Sequence, residues 1–229
     1  MENNTSKYFK YAIGEIILVI IGILIALQIN NWNENRQLNQ RELNLLNELK
    51  SNLEVNITNL NNDIKIQKES VYYINYILNL NENKTPYNDS IPSYLQRANF
   101  APDVILTSSA FETLKSTGLE LIKQDNLRQE IINLFEIEYP LLMQETRRLE
   151  DQLWSTVLMP LYQKHFFFKN NSWIPNNYDE WLKDQEFFNM LSFRLALREQ
   201  STNFKTISAT KTKNVVDLIE RELINRGFK

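Results

Sequence analysis

Four glycines in the whole chain set the narrowest limit on its fold. Gly14 and Gly22 lie inside an apolar segment and Gly227 stands beside the last residues, leaving Gly118 alone for the domain between. Hairpin turns and phosphate-cradling loops rely on backbone at positive φ or at very close approach, and glycine supplies both. A sheet-rich fold, a dinucleotide fingerprint and a P-loop are thereby excluded. Helices need glycine only at their ends, so the fold class expected is all-α.

The apolar segment runs from Tyr11 to Ile29, through IILVIIGILIAL. As a helix it reaches about 28 Å, close to the roughly 30 Å of a hydrocarbon core. The chain continues QINNWNENR, without the pair of small residues that a signal-peptide cleavage site needs. A soluble core helix seldom has apolar residues on every face. Trp32 at one end, with Tyr8 and Tyr11 at the other, suits the two interfaces of a bilayer. The reading is a single transmembrane helix at 11–29. Residues 1–10 then form a cytoplasmic amino terminus, since Lys7 and Lys10 lie closer to the span than Arg36 and Arg41. Residues 30–229 form an extracytoplasmic helical bundle, and the lipid bilayer is the first partner.

Glu15 sits about one turn inside this span. A carboxylate there reaches headgroups or profits from the helix amino terminus. The sharper alternative is an interaction stripe: Glu15, Gly22, Ala26 and Asn30 share one helical face, and Gly22 with Ala26 forms a small-xxx-small pair. Self-association or contact with another membrane protein would use that face.

Beyond the membrane, Leu53, Ile57, Leu60, Ile64, Gln67, Val71, Ile74 and Leu78 alternate steps of four and three. This is the heptad-like seam of a coiled coil or an antiparallel bundle of long helices, broken only by Gln67. Pro86, Pro92 and Pro102 mark a loop near 84–106, holding a short helix around Tyr94. Ser109 with Glu112 reads as a capping box for a helix ending at Gly118. Asp125 caps a long helix, kinked at Pro140 and stopped near Pro160. A further loop near 169–178 precedes a final helix from Asp184 to Arg226.

Two patches carry a resemblance. KYAIGEIILVIIGILIALQINNWNE, at the membrane entry, and the motif around Phe111, Leu114, Lys115, Gly118, Leu121, Ile122 and Leu127 resemble a bacterial family of single-pass membrane proteins of unknown function. The resemblance implies a bacterial envelope protein; with the orientation read from Lys7 and Lys10, the expected location is the inner (cytoplasmic) membrane with the carboxy-terminal domain periplasmic. The resemblance implies no activity.

Catalytic chemistry is poorly provided for. Without cysteine there is neither a thiolate nucleophile nor a thiolate metal site. The one histidine, His165, cannot build the usual zinc site and lies in no Glu-x-x-His pair. A Ser/His/Asp set is formally available, but nothing in the sequence gathers its members. No cofactor is called for. Residues 109–138 look like a helix–turn–helix, yet Lys115, Lys123 and Arg128 face six acidic side chains, which repels phosphate and excludes nucleic acid.

The densest binding candidate is aromatic. Trp173, Tyr178 and Trp181, within a cluster running from Phe166 to Phe188, either line a ligand pocket or plug the end of the bundle. The expected function is therefore a membrane-anchored, non-enzymatic bundle that binds or scaffolds another envelope component. An extracytoplasmic ligand sensor is the second reading and a membrane-bound enzyme the third.

Overall fold

A computed structural model describes residues 4–101 and 103–227, with the side chains of 4–12 and 146–151 left aside. Lys7, Tyr8, Lys10, Tyr11 and Pro102, invoked above, thus lie outside the described side chains. The first element, α1 (Asn4–Glu82), is one helix of 79 residues. Between Gly22 and Pro86 there is neither glycine nor proline, so nothing interrupts the i to i−4 ladder over that stretch. At 1.5 Å per residue it is about 118 Å long. It ends in a Schellman motif: Lys84 adopts φ 46°, and the Thr85 N–H donates to the Leu80 carbonyl at 3.0 Å.

Only the second half of α1 packs on anything. From Ile13 to Trp32 the described side chains are almost all exposed, and burial begins at Glu42. A length and composition sufficient to cross a membrane are confined to the uncovered half. Beyond it, α2 (Ile91–Asn99), α3 (Ser109–Thr117), α4 (Asp125–Asn133), α5 (Tyr139–Leu153) and α6 (Met159–His165) follow. A hairpin of β1 (Phe166–Lys169) and β2 (Ser172–Pro175), the single turn α7 (Tyr178–Trp181) and the 41-residue α8 (Gln185–Asn225) complete the chain. The fold is all-α, with long helices packed against α1.

α8 returns antiparallel along α1. Glu42 meets Arg226, Lys50 meets Glu220, Asp63 meets Lys205 and Gln67 meets Ser201, so numbers rise on one helix as they fall on the other. The seam has the expected 3–4 spacing, but its contents differ from the apolar stripe. Buried on α1 are Leu53, Asn56, Leu60, Asp63, Gln67, Ser70, Ile74 and Ile77. Ile57, Ile64, Val71 and Leu78 lie half-buried on the flank. The seam shares Leu53, Leu60, Gln67 and Ile74 with that stripe, but its alternate positions are Asn56, Asp63 and Ser70. The other helix decides this, because α8 presents Arg194, Arg198, Ser201, Lys205, Ser208 and Thr212 at the same spacing.

Apolar cores close both ends of this pair. Nearest the uncovered helix, Leu45, Leu46, Leu49 and Leu53 pack with Phe111, Ile122, Leu127, Val215 and Ile219. At the far end Ile74, Ile77 and Leu80 pack with Ile91, Leu95, Tyr162, Trp181 and Phe187. Each fully buried Leu, Ile or Phe is worth about 1.5–3 kcal/mol, so these two plugs hold the bundle together.

Several local expectations need correction. The segment near 169–178 is not a plain loop but contains a hairpin, with Phe167 opposite Ile174 and Phe168 opposite Trp173. Its turn needs two residues at positive φ, and Asn170 (50°) and Asn171 (58°) supply them without glycine. The predicted capping box is absent: the Ala110 N–H and the Ser109 hydroxyl both donate to Asn52 Oδ1 of α1, so the cap comes from another helix. Asp125 likewise does not cap α4; it accepts from Arg128 at 2.5 Å. The helix does not stop at Pro160 but continues to His165. π-helical turns at Leu134–Glu138 and Trp154–Leu158 precede Pro140 and Pro160, and the wider turn accommodates a ring that lacks an N–H.

Gly118 ends α3 at φ 115°, where an L side chain is strained. A Cβ there would also come within 2.4 Å of the Glu120 carboxylate, but that flexible group can move. Gly118→Ala should therefore cost about 1–3 kcal/mol in urea unfolding, and the cost should persist in Gly118→Ala/Glu120→Ala, because it belongs to the backbone.

Candidate functional site

The motif around Phe111 folds as one unit at the end of the bundle nearest the uncovered helix. Phe111, Leu114, Ile122 and Leu127 are buried against Leu45, Leu46 and Leu49, with Leu121 packed beside them. Lys115 stays outside, bridging to Glu136 at 2.8 Å and lying over the Phe111 ring. The turn after Gly118 aims the Lys123 N–H at Glu42 Oε1 (2.9 Å), and Arg226 from the end of α8 reaches Glu42 Oε2 (2.7 Å). One buried carboxylate on α1 thus ties both later parts of the chain to the point where the bundle begins.

Along the middle of the α1–α8 pair runs a polar seam. Asn56 donates to the Thr107 carbonyl (3.0 Å) and accepts its N–H (2.6 Å), which pins the strand-like segment after α2 to α1. The Tyr139 hydroxyl bridges Asn56 and Thr212. Burial pushes the Tyr139 pKa upward, against those two hydrogen bonds, so it stays a neutral phenol. Asp63 pairs with Lys205, both nearly sealed from solvent. Gln67 accepts from Arg198 (2.7 Å) and donates to Ser201 (3.1 Å), and Ser70 donates to the Ala98 carbonyl (2.7 Å). Asn99 meets both Arg194 and the Tyr162 hydroxyl.

The aromatic residues singled out from the sequence meet at the far end. Trp181 has 0 % exposure and touches the rings of Phe166, Phe187, Phe188 and Tyr178 at centroid distances from 5.0 to 5.7 Å. Trp173 lies against Tyr162 and Phe168, and Tyr178 donates to the Thr85 carbonyl at 2.7 Å. Trp173, Tyr178 and Trp181 thus belong to one apolar cluster, each in contact with further rings. His165, against the Phe166 and Phe187 rings, shares Asp184 with Lys164, each at 2.5 Å. Asp184 also caps α8, accepting the Glu186 and Phe187 N–H groups. Among the described residues no group of three His, Asp or Glu side chains converges as a metal site.

Glu15, Gly22 and Ala26 lie on the uncovered half of α1, all exposed, with no atom within 4 Å of a Cβ built on Gly22. Their shared face is open along its whole length.

A different surface stands out. Between α1 and α2 runs an open groove of about 650 Å³, lined by residues that include Ile64, Lys65, Lys68, Tyr72, Tyr73 and Arg97. Arg97 lies over the Tyr73 ring at 5.4 Å and donates to its hydroxyl at 3.2 Å, so the guanidinium is held in place. A neighbouring recess of about 510 Å³ shares Glu69 and Arg97 and reaches Phe100. Lys65, Lys68 and the tyrosines look like solvated flank in the sequence. Only the placement of α2, through Ser70 and Ala98, turns them into a wall.

Two tests follow from this geometry. Lys205→Met should leave Asp63 buried without its partner and cost about 3–5 kcal/mol, whereas Asp63→Leu/Lys205→Met should recover most of that loss in urea unfolding. For Asp184, burial alone raises the carboxyl pKa, but hydrogen bonds from Lys164, His165 and the Phe187 N–H outweigh it and hold it well below the usual range. A carboxyl depressed in the folded state stabilises above its unfolded value of about 4 and loses that contribution as pH falls through the folded value. Asp184→Asn should therefore be less stable than the parent at neutral pH, with the difference shrinking on acidification below about pH 4, as read by thermal melts across that range.

No curated protein and no solved structure matches the chain. A family model, by contrast, matches residues 15–200, a span that takes in the uncovered apolar helix, the motif around Phe111, the polar seam of α1 and the aromatic end. That match covers most of the chain, which belongs to DUF6090, a family of unknown function.

Proposed function

We propose that this is a single-pass membrane protein whose bundle is a non-catalytic binding or scaffolding domain, held in the envelope at a fixed distance from the bilayer. The observation that carries the reading is the uncovered half of α1. Its apolar run is long enough to cross a membrane and has no buried side chain, which leaves a large apolar surface for which a bilayer is the natural solvent. Trp32, 63 % exposed and stacked with Arg36 at 5.6 Å, suits the interface where the apolar run ends.

The continuity of α1 gives this arrangement its mechanical sense. From Ile29 to Leu38 the helix forms a bare stalk of about 14 Å, and the bundle, which begins where Asn39 meets Lys123 and Arg226, then extends it by about 65 Å. A binding surface on the bundle is thereby carried at a set height. Support for a non-catalytic role comes from several buried ionisable groups, which pair within the fold: Glu42 with Arg226, Asp63 with Lys205, His165 with Asp184. The orientation proposed is a cytoplasmic amino terminus and a periplasmic bundle in a bacterial inner membrane, resting on Lys7 and Lys10 beside the span.

Expressed at full length in a bacterial host, the protein should remain in the membrane pellet through alkaline carbonate washing and leave it only with detergent. A carboxy-terminal alkaline-phosphatase fusion should be active, since that reporter folds only outside the cytoplasm. Release by carbonate would overturn the anchor, and an inactive fusion at normal abundance would reverse the orientation.

A further inference from the structure

The groove between α1 and α2 is a cationic site on an otherwise acidic protein. The chain carries a formal charge of −3, yet the groove gathers Lys65, Lys68 and Arg97 against the single carboxylate of Glu69. Lysines elsewhere are commonly satisfied by a carboxylate, as in Lys50–Glu220, Lys115–Glu136, Lys164–Asp184 and Lys213–Asp217. Lys65 and Lys68 have no carboxylate within ion-pair distance among the described residues, although Glu69 stands one turn from Lys65 on the same helix. Arg97 is held by Tyr73, which stacks in turn on Tyr94 at 5.2 Å. Apolar surface beside these cations is also open: Tyr72 in the groove is 64 % exposed, and Phe100, in the adjoining recess that shares Glu69 and Arg97, is 58 %.

We propose that this groove and its adjoining recess receive an acidic segment of a partner polypeptide, its carboxylates on Lys65, Lys68 and Arg97 and its apolar side chains against Ile64 and Tyr72 in the groove and Phe100 in the recess. The inference deepens the binding role put forward above by naming its partner chemistry. Three features select this occupant. The groove lies some 36 to 43 residues beyond Ile29 along one straight helix, or about 54–65 Å, too far for lipid headgroups to reach. The remainder of the bundle is net acidic, which disfavours a nucleic acid. An alternation of cations with Ile64, tyrosine rings and Phe100 matches a chain that alternates carboxylates with apolar groups.

The test uses the full chain in detergent micelles or nanodiscs and a fluorescein-labelled peptide of Glu-Leu-Glu-Ala repeats, read by anisotropy at low salt. Binding should weaken about tenfold or more in Lys65→Glu/Lys68→Glu, fall steeply with added salt, and nearly vanish for the matching Gln-Leu-Gln-Ala peptide. Both lysines are exposed, so the variant should fold, and an unchanged circular dichroism melt would verify it; Lys65→Gln/Lys68→Gln should give an intermediate loss. Equal affinity of parent and variant, no binding by the parent, or tighter binding of an oligouronate than of the acidic peptide would each overturn the proposal. Because the assay is made in detergent, its failure leaves the anchor untouched, and carbonate release leaves the groove untouched.

Discussion

The whole architecture hangs on one unbroken ladder of backbone hydrogen bonds. α1 is at once the apolar segment, the bare stalk and one half of the bundle, and no residue between Gly22 and Pro86 removes a donor or relaxes the backbone. A glycine or proline near Arg36 would have made a hinge. Its absence means that the direction of the apolar helix fixes the direction of the bundle, and any surface on the bundle is held at a height counted in helical turns. Both the family motif and the end of α8 fasten to Glu42, the first buried residue among those described on this helix, so the bundle starts at a defined level.

A helix pair this long needs something to choose its register, and hydrophobic packing alone chooses poorly. A shift by one heptad would still place apolar residues against apolar residues. The polar middle forbids it. Sliding α8 past α1 would separate Asp63 from Lys205 and Gln67 from Arg198 and Ser201, leaving charged and amide groups dry and unmatched. The division of labour is physical: the two apolar plugs supply stability, and the layers between them supply alignment.

Irregular features elsewhere answer local demands of the same kind. Two prolines inside a helical run are absorbed by π turns rather than by a break, and just beyond each turn a tyrosine hydroxyl ties the run to a neighbour, Tyr139 to Thr212 of α8 and Tyr162 to Asn99. The hairpin between α6 and α7 lays Phe166 and Trp173 over the far plug, covering the apolar ends of α1 and α8. The aromatic density of that region is thereby used in packing, and the open groove lies elsewhere, where two amphipathic helices leave cations and ring faces turned outward.

The sequence by itself determined the helical class, the uncovered apolar segment, the motif around Phe111 and the positions of α2, α3 and α8. The motif around Phe111 was legible through its resemblance to a family; the rest is a matter of local chemistry: the scarcity of glycine, periodic apolar residues and prolines that act within a few residues. It went astray where two remote segments meet. Periodicity on α1 was read through Ile57, Ile64 and Val71, because apolar residues are taken to be the buried ones. Only α8, with Lys205 and Arg198 at matching positions, shows that Asp63 and Gln67 face inward. Asn52 as a cap for α3, and the groove walled by Lys65 and Arg97, depend in the same way on which helix lies beside which. Burial and pairing are properties of two surfaces together, and the tertiary structure alone decides which surfaces meet.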